Sequence, residues 1–225
     1  MGNNITTHAT STSFGSSQES LGTRERVLEA AGRAFAERGF VNATIRDICA
    51  EAGANVAAVN YHFGDKEHLY SEVLAHTLEL ARRQHPIRLE PGASAEARLR
   101  SFVESFLMRI LDEGRPAWHG KLMAREMVEP TAALSGVVET AMRPTFAMLR
   151  EIVSDLSGKD RDSDFVKRCA FSIMGQCVMH KHCRPAIKTL YPDESYSREA
   201  IGQLAAHITA FSLEGVRGCA NGGPA

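Results

Sequence analysis

Asn60, Tyr61 and His62 stand side by side in a stretch, 54–63, that contains no Asp, Glu, Lys or Arg. Their side chains are neutral hydrogen-bonding groups. An Asn amide can pair bidentately with an adenine edge, and Tyr and His can donate to a base or a phosphate. Ala57 and Ala58 are small enough to let the backbone approach a base edge, and an Ala methyl suits a thymine methyl. Charge returns at Lys66, in the first turn of the next expected helix. There an ammonium and free backbone N–H groups can hold one phosphate together. Upstream, Thr44 and Arg46 can grip the phosphate backbone from the other side, with Asn55 at the start of the reading segment. Catalytic chemistry has no comparable constellation. G-x-S-x-G, Walker A, H-E-x-x-H and G-x-G-x-x-G are all absent, so no catalytic residue is assigned. In "CVMHKHC" (177–183), Cys177 and His180 share a helix face but His182 and Cys183 point elsewhere, so no metal site and no cofactor is expected.

The elements that carry these residues read as short helices with clear punctuation. A first helix is expected from Thr23 to Arg38, with Val27, Leu28, Ala31, Ala34 and Phe35 as its apolar stripe and Gly39 as its stop. "TIRD" (44–47) starts a second, with Ile45, Ile48, Cys49 and Ala52 inward and Gly53 at its end. Asn55 caps a third, with Val56, Val59 and Phe63 as its buried face. Two short helices joined by a tight turn form a helix-turn-helix, whose second helix can enter the DNA major groove. The plainer alternative is three packed helices with no partner.

Beyond residue 65 the chain continues as helix. A long helix over 66–85 links two units, and "HPIRLEPGASAE" (85–96) marks the junction. Further helices are expected near 94–111, 115–128, 131–142, 145–157, 162–182 and 196–217. The Ser/Thr/Asn-rich segment 1–22 has too few large apolar groups to offset its ordering entropy and is read as a disordered arm. The fold expected is all-α: a three-helix head over 23–70 and a helical body over 71–225, to which the family resemblance given below assigns ligand binding and dimerisation. Phe102, Phe106, Trp118, His119, Met123, Met127, Met174, Gln176, Cys177 and His180 are the expected pocket, with Arg125 and Gln176 as polar anchors and Trp118 and His119 as a gate. Arg125 pairs equally well with a neighbouring glutamate. Phe165, Cys169, Ser172 and Ile173, with Ile201, Leu204, Ala205, Ile208 and Phe211, are the expected dimer face.

Composition sets the outer bounds. The 225 residues carry a net charge of −1, with 44% hydrophobic and 24% charged residues, so any nucleic-acid affinity must be local. Within 21–70, Arg24, Arg26, Arg33, Arg38, Arg46 and Lys66 face seven acids, Glu25, Glu29, Glu37, Asp47, Glu51, Asp65 and Glu67. A generic DNA coat would be strongly basic; a sequence-specific dimer needs few phosphate contacts. Five cysteines without paired spacing suit a reducing compartment, and no apolar run or leader pattern argues for membrane or export, so a cytoplasmic location is expected.

Residues 23–74, with "AERGF", "ATIRDI", "AGA", "YHF" and "KEHLY" in register, closely resemble the DNA-binding domain of TetR-family transcriptional regulators. "NVAAVNYHFG", "LMAREMVEPTAAL" (122–134) and "FSIMGQCVMH" (171–180) resemble the CecR-like branch. Val56 stands where that pattern more often has Lys, and Asn60 where it more often has an aromatic. The resemblance implies a homodimer that binds double-stranded operator DNA through two recognition helices. It also implies a small-molecule effector in the body, whose binding releases the operator, most often to relieve repression. An α-helical small-molecule-binding protein without DNA activity is the alternative.

Overall fold

Five polar side chains fix where helices begin. Thr44, Asn55, Asp65, Ser94 and Ser163 each accept a hydrogen bond from the backbone N–H three residues on, at 3.1, 2.6, 2.8, 3.2 and 3.3 Å. Each such cap stabilises by about 1 kcal/mol. They open α2 (Ile45–Ala52), α3 (Val56–Phe63), α4 (Lys66–Gln84), α5 (Ala95–Leu111) and α9 (Asp164–His182). The computed structural model describes residues 12–222 apart from Leu89, Glu113 and Arg115, with side chains from Gly22 onward. Residues 1–11 of the expected disordered arm lie outside the described residues. From Thr12 the backbone is already helical, ahead of the expected Thr23, in α1 (Thr12–Asn42). No proline interrupts that stretch, and Gln18, Glu19 and Leu21 are good helix formers. Gly39 breaks α1 at the expected place, with φ 79.

The remaining helices are α6 (Ala117–Val128), α7 (Leu134–Val137), α8 (Arg143–Ser157), α10 (Arg184–Leu190) and α11 (Arg198–Gly222). Between α7 and α8 lies a π-helical turn, Val138–Met142. The sequence suggests a break at Pro144; instead the chain stays helical through it. Proline has no N–H and its ring crowds the carbonyl four residues back, which a widened turn relieves. The Arg143 N–H accordingly bonds the Val138 carbonyl, five residues back. The segment holding α10 reads as a break in the sequence because of its two prolines. Pro185, however, sits in the first turn of α10, where no N–H is needed.

Two apolar cores form. Val27, Leu28, Ala31 and Phe35 of α1 meet Ile48, Cys49, Val59, Phe63, Leu69, Val73 and Leu74, and this head core also takes in Trp118, Leu122 and Val137. The second core joins α5, α8, α9 and α11 through Leu99, Phe102, Leu107, Ile152, Val166, Ile173, Ile201 and Ile208. This first core reaches beyond residue 70 to Val73 and Leu74 of α4 and is sealed by α6.

Candidate nucleic-acid interface and ligand cavity

Val59 and Phe63 are the α3 side chains that reach the core. The rest of α3 faces out. Ala57, Asn60 and Tyr61 are exposed, Tyr61 at 84%, with Ala58 and His62 partly so. Val56 was expected inside and is 47% exposed. It stands at the free tip of the helix, one turn before Val59, and extends the outward face. Gly53, at φ 60, ends α2, and its left-handed turn sets α3 across α2. Asn55 spends its side-chain oxygen on the Ala58 N–H. Thr44 does the same for Asp47, which leaves its hydroxyl proton outward.

The cations of the head are mostly committed within the chain. Arg24 pairs with Glu72 at 2.5 Å, Arg33 with Glu51 at 2.6 Å and Arg38 with Asp47 at 2.9 Å. Arg26 donates to the Ala52 carbonyl at 3.2 Å. Lys66, expected free for phosphate, donates to the Val41 carbonyl at 3.1 Å and lies over the Phe40 ring at 4.8 Å. Two of its three donors stay available. Among the described Lys and Arg residues of α1–α4, Arg46 alone makes no hydrogen bond or ion pair, and it is exposed on α2.

A cavity of about 1310 Å³ lies between α4, α5, α6, the π-turn, α8 and α9. Its walls are largely apolar, including Phe106, Met123, Met127, Met142, Phe146, Met148 and Met174. Of the expected pocket residues, Phe106, His119, Met123, Met127 and Met174 line it. The other six lie elsewhere. Phe102 and Cys177 are fully buried in the body core, where burial pushes the Cys177 thiol up to about 12. Gln176 bonds the Ser212 hydroxyl at 3.2 Å, and His180 the Tyr196 hydroxyl at 3.4 Å, its imidazole held low by burial. Arg125 pairs with Glu129 at 3.1 Å and rests on the Gly39 turn. Trp118 is not a gate: it packs on Gly32, where an added β-carbon would stand 2.2 Å from the indole ring.

These displacements define α6. One face, with His119, Gly120, Met123 and Met127, lines the cavity. The other is fastened to the head by Trp118 on Gly32, by Arg125 on Gly39 and by Glu126. Glu126 is fully buried; it accepts the Tyr70 hydroxyl at 2.7 Å and the Thr131 N–H and hydroxyl at 2.9 and 3.0 Å. Tyr70 meets Phe35 edge-on with centroids 4.9 Å apart. Burial, then the bond to Glu126 and its charge, hold the Tyr70 phenol well above its usual range. The sequence suggests Tyr70 as part of the apolar face of α4 and Glu126 or Glu129 as partner of Arg125; Glu129 takes that place, Glu126 bonds Tyr70 instead, and Gly32 carries no local signal. A lone charged residue inside an apolar helix stripe, Leu122–Glu126, is the signal that was there to read.

The cavity rim is charged. Arg82 and Arg83 both bind Glu79, at 2.8 and 2.6 Å, and these bonds hold its carboxyl down to about 2. Asp112 meets His85 at 2.8 Å. Arg109, half-buried on α5, donates from Nε to the His85 carbonyl at 2.7 Å. Burial, and next the charge of Arg82, lower its pKa.

On α9 and α11, Ile173, Ile201, Ala205 and Ile208 were expected at a dimer face but are at most 2% exposed in the chain's own core. Both helices turn their strongest apolar stripe toward α5 and α8, so the outward face lies to the side of it. There Phe165, Cys169, Ser172 and Leu204 are partly or fully exposed, and Met179 and Phe211 are 57% and 65% exposed.

A helix-turn-helix head fastened to a helical body with its own cavity is the architecture of a transcriptional regulator with a built-in sensor domain. Residues 27–73 match the family described as bacterial regulatory proteins, tetR family, and residues 95–216 match the C-terminal domain of the HTH-type transcriptional dual regulator CecR. The chain belongs to this CecR-type branch of the TetR family; it is a DNA-binding transcriptional regulator and not an enzyme. It is 29% identical over 165 residues to the dual regulator CecR of Shigella flexneri, covering 69% of this chain and 74% of that one. It is 24% identical over 207 residues to the transcriptional repressor NicS of Pseudomonas putida, covering 89% and 95%. The fold also matches AibR, solved in complex with isovaleryl coenzyme A and operator DNA, with a TM-score of 0.61 at 19% identity, covering 84% of this chain and 97% of that one. Among the described residues no helix is long and apolar enough to cross a membrane.

Proposed function

We propose that the protein is a homodimeric repressor that leaves its operator when a small molecule enters the cavity. The carrying observation is the two-sided role of α6, which lines the cavity with Met123 and Met127 and holds the head through Trp118, Arg125 and Glu126. A ligand shifts an equilibrium only by its differential affinity for two states. Here anything that moves α6 also moves the attachments of α1 and α4, and so the spacing of two α3 helices in a dimer. Major-groove faces one turn apart lie about 34–36 Å from each other, so a small rotation of each head breaks the match.

In this reading Asn60, Ala57 and Ala58 meet base edges, with Val56 beside them. Tyr61, His62, Thr44, Arg46 and Lys66 hold phosphates around Asn55. The dimer forms through Phe165, Cys169, Ser172, Met179, Leu204 and Phe211. The head comprises residues 23–70 with the start of α4, and the body the remainder. Fluorescence anisotropy with DNA from upstream of the protein's own gene tests the reading. Saturable binding that competitor DNA does not remove is expected. No binding by any such fragment at low salt would favour the DNA-independent alternative.

A further inference from the structure

We propose that the cavity takes an amphipathic monocarboxylate, with Arg109 as the anchor for its head group. This rests on the reading of the cavity as the effector site. Among the described residues, both carboxylates on the wall are already answered within the chain: Glu79 by Arg82 and Arg83, Asp112 by His85. Arg109 is not. Its one hydrogen bond goes to a backbone carbonyl, and among the described residues no carboxylate pairs with it. A half-buried guanidinium in an apolar wall is short of a counter-charge, and Arg82 close by sharpens that need.

The geometry also sets the head group. Nε is committed to the His85 carbonyl, which leaves the two terminal nitrogens, Nη1 and Nη2. A planar carboxylate fits that pair end-on through two parallel charge-assisted bonds. Phe106 stands three residues before Arg109 on α5, hence on the same face of the helix. The apolar body of the ligand then runs along Phe106 toward Met123 and Met174, adaptable side chains that accept chains of varied shape. A cationic amphiphile would bring a second positive charge to Arg109 and find no free carboxylate among the described lining residues.

Isothermal titration of the full-length protein with decanoate, 1-decanol and decyltrimethylammonium separates the head groups on one tail. Decanoate is expected to bind at least about tenfold tighter than the other two, the scale of lost bonds to a charged group. Arg109→Met should bring decanoate down to the level of decanol, leave decanol unchanged, and so report loss of the anchor rather than of the fold. Arg109→Lys should restore part of the preference. Equal binding of all three, or full decanoate affinity in Arg109→Met, overturns the anionic assignment while leaving an effector cavity in place. If protein that still binds its operator takes up none of the three, the effector reading of the cavity falls with it.

Discussion

Single residues divide the reading face into two kinds of contact. Asn60 distinguishes bases through its amide, whereas Arg46 supplies charge without sequence information. Asn60→Ala should therefore flatten the preference among operator variants, by about 1–3 kcal/mol at the affected base pair, with the salt dependence unchanged. Arg46→Ala should weaken all sequences alike and lower the slope of log affinity against log salt by about 1. Anisotropy titrations over several salt concentrations read both, and a swapped pattern would reverse the assignment. Gly32 carries a prediction about packing. Its missing side chain admits the Trp118 ring, so Gly32→Ala should cost about 1–3 kcal/mol, seen as an earlier urea midpoint. Much at this scale was legible in advance: the caps Thr44 and Asn55, the Gly39 and Gly53 stops, and the neutral face of α3 follow from local chemistry. Val56 was not, because burial of a first-turn residue depends on what stands beyond the helix tip.

At the scale of elements, α6 and α4 form a joint pinned by Tyr70 and Glu126. Tyr70→Phe removes the hydroxyl and leaves Glu126 to Thr131 alone, at a cost of about 1–3 kcal/mol. Operator binding should persist while release by an effector weakens, as the joint transmits less of the α6 displacement. The titration has a definite sign. The folded phenol is held above the usual value of about 10, so its stabilisation is complete below that pH and is lost as pH rises beyond it. Denaturation midpoints between about pH 9 and 11 should fall in the parent and fall less in Tyr70→Phe. The helices themselves were readable from apolar periodicity. The joint was not, since hydrogen bonds across 56 residues of sequence leave no local pattern. The same reasoning covers Phe102 and Cys177, whose types suit a pocket or a core equally well.

For the whole molecule, the proposed dimer needs one face that meets a second copy. Phe211 and Met179 offer exposed apolar surface on the two helices that flank it. Phe211→Glu should shift the protein toward monomer in sedimentation at micromolar concentration, without loss of helix content. It should also cut operator affinity, because two linked heads bind far more tightly than one. A variant that remains dimeric places the interface elsewhere. Sequence periodicity puts the dimer face on α9 and α11 but mixes two stripes, taking Ile173, Ile201, Ala205 and Ile208 outward where the structure buries them. Which stripe turns inward is decided by α5 and α8, far away in the chain.

The arginine pairs of the head have a consequence for how the operator is found. Sequence-independent attraction to a duplex comes from releasing counterions, in proportion to the phosphates neutralised. With Arg24, Arg33 and Arg38 paired to Glu72, Glu51 and Asp47, the head's net charge is near zero, and its hold on random DNA is expected to be weak, resting mainly on Arg46 and Lys66. Genomic sequence then acts as a weak sink. More of the protein stays in free solution, encounters its site by three-dimensional diffusion rather than long sliding, and is available to the effector before it has reached DNA.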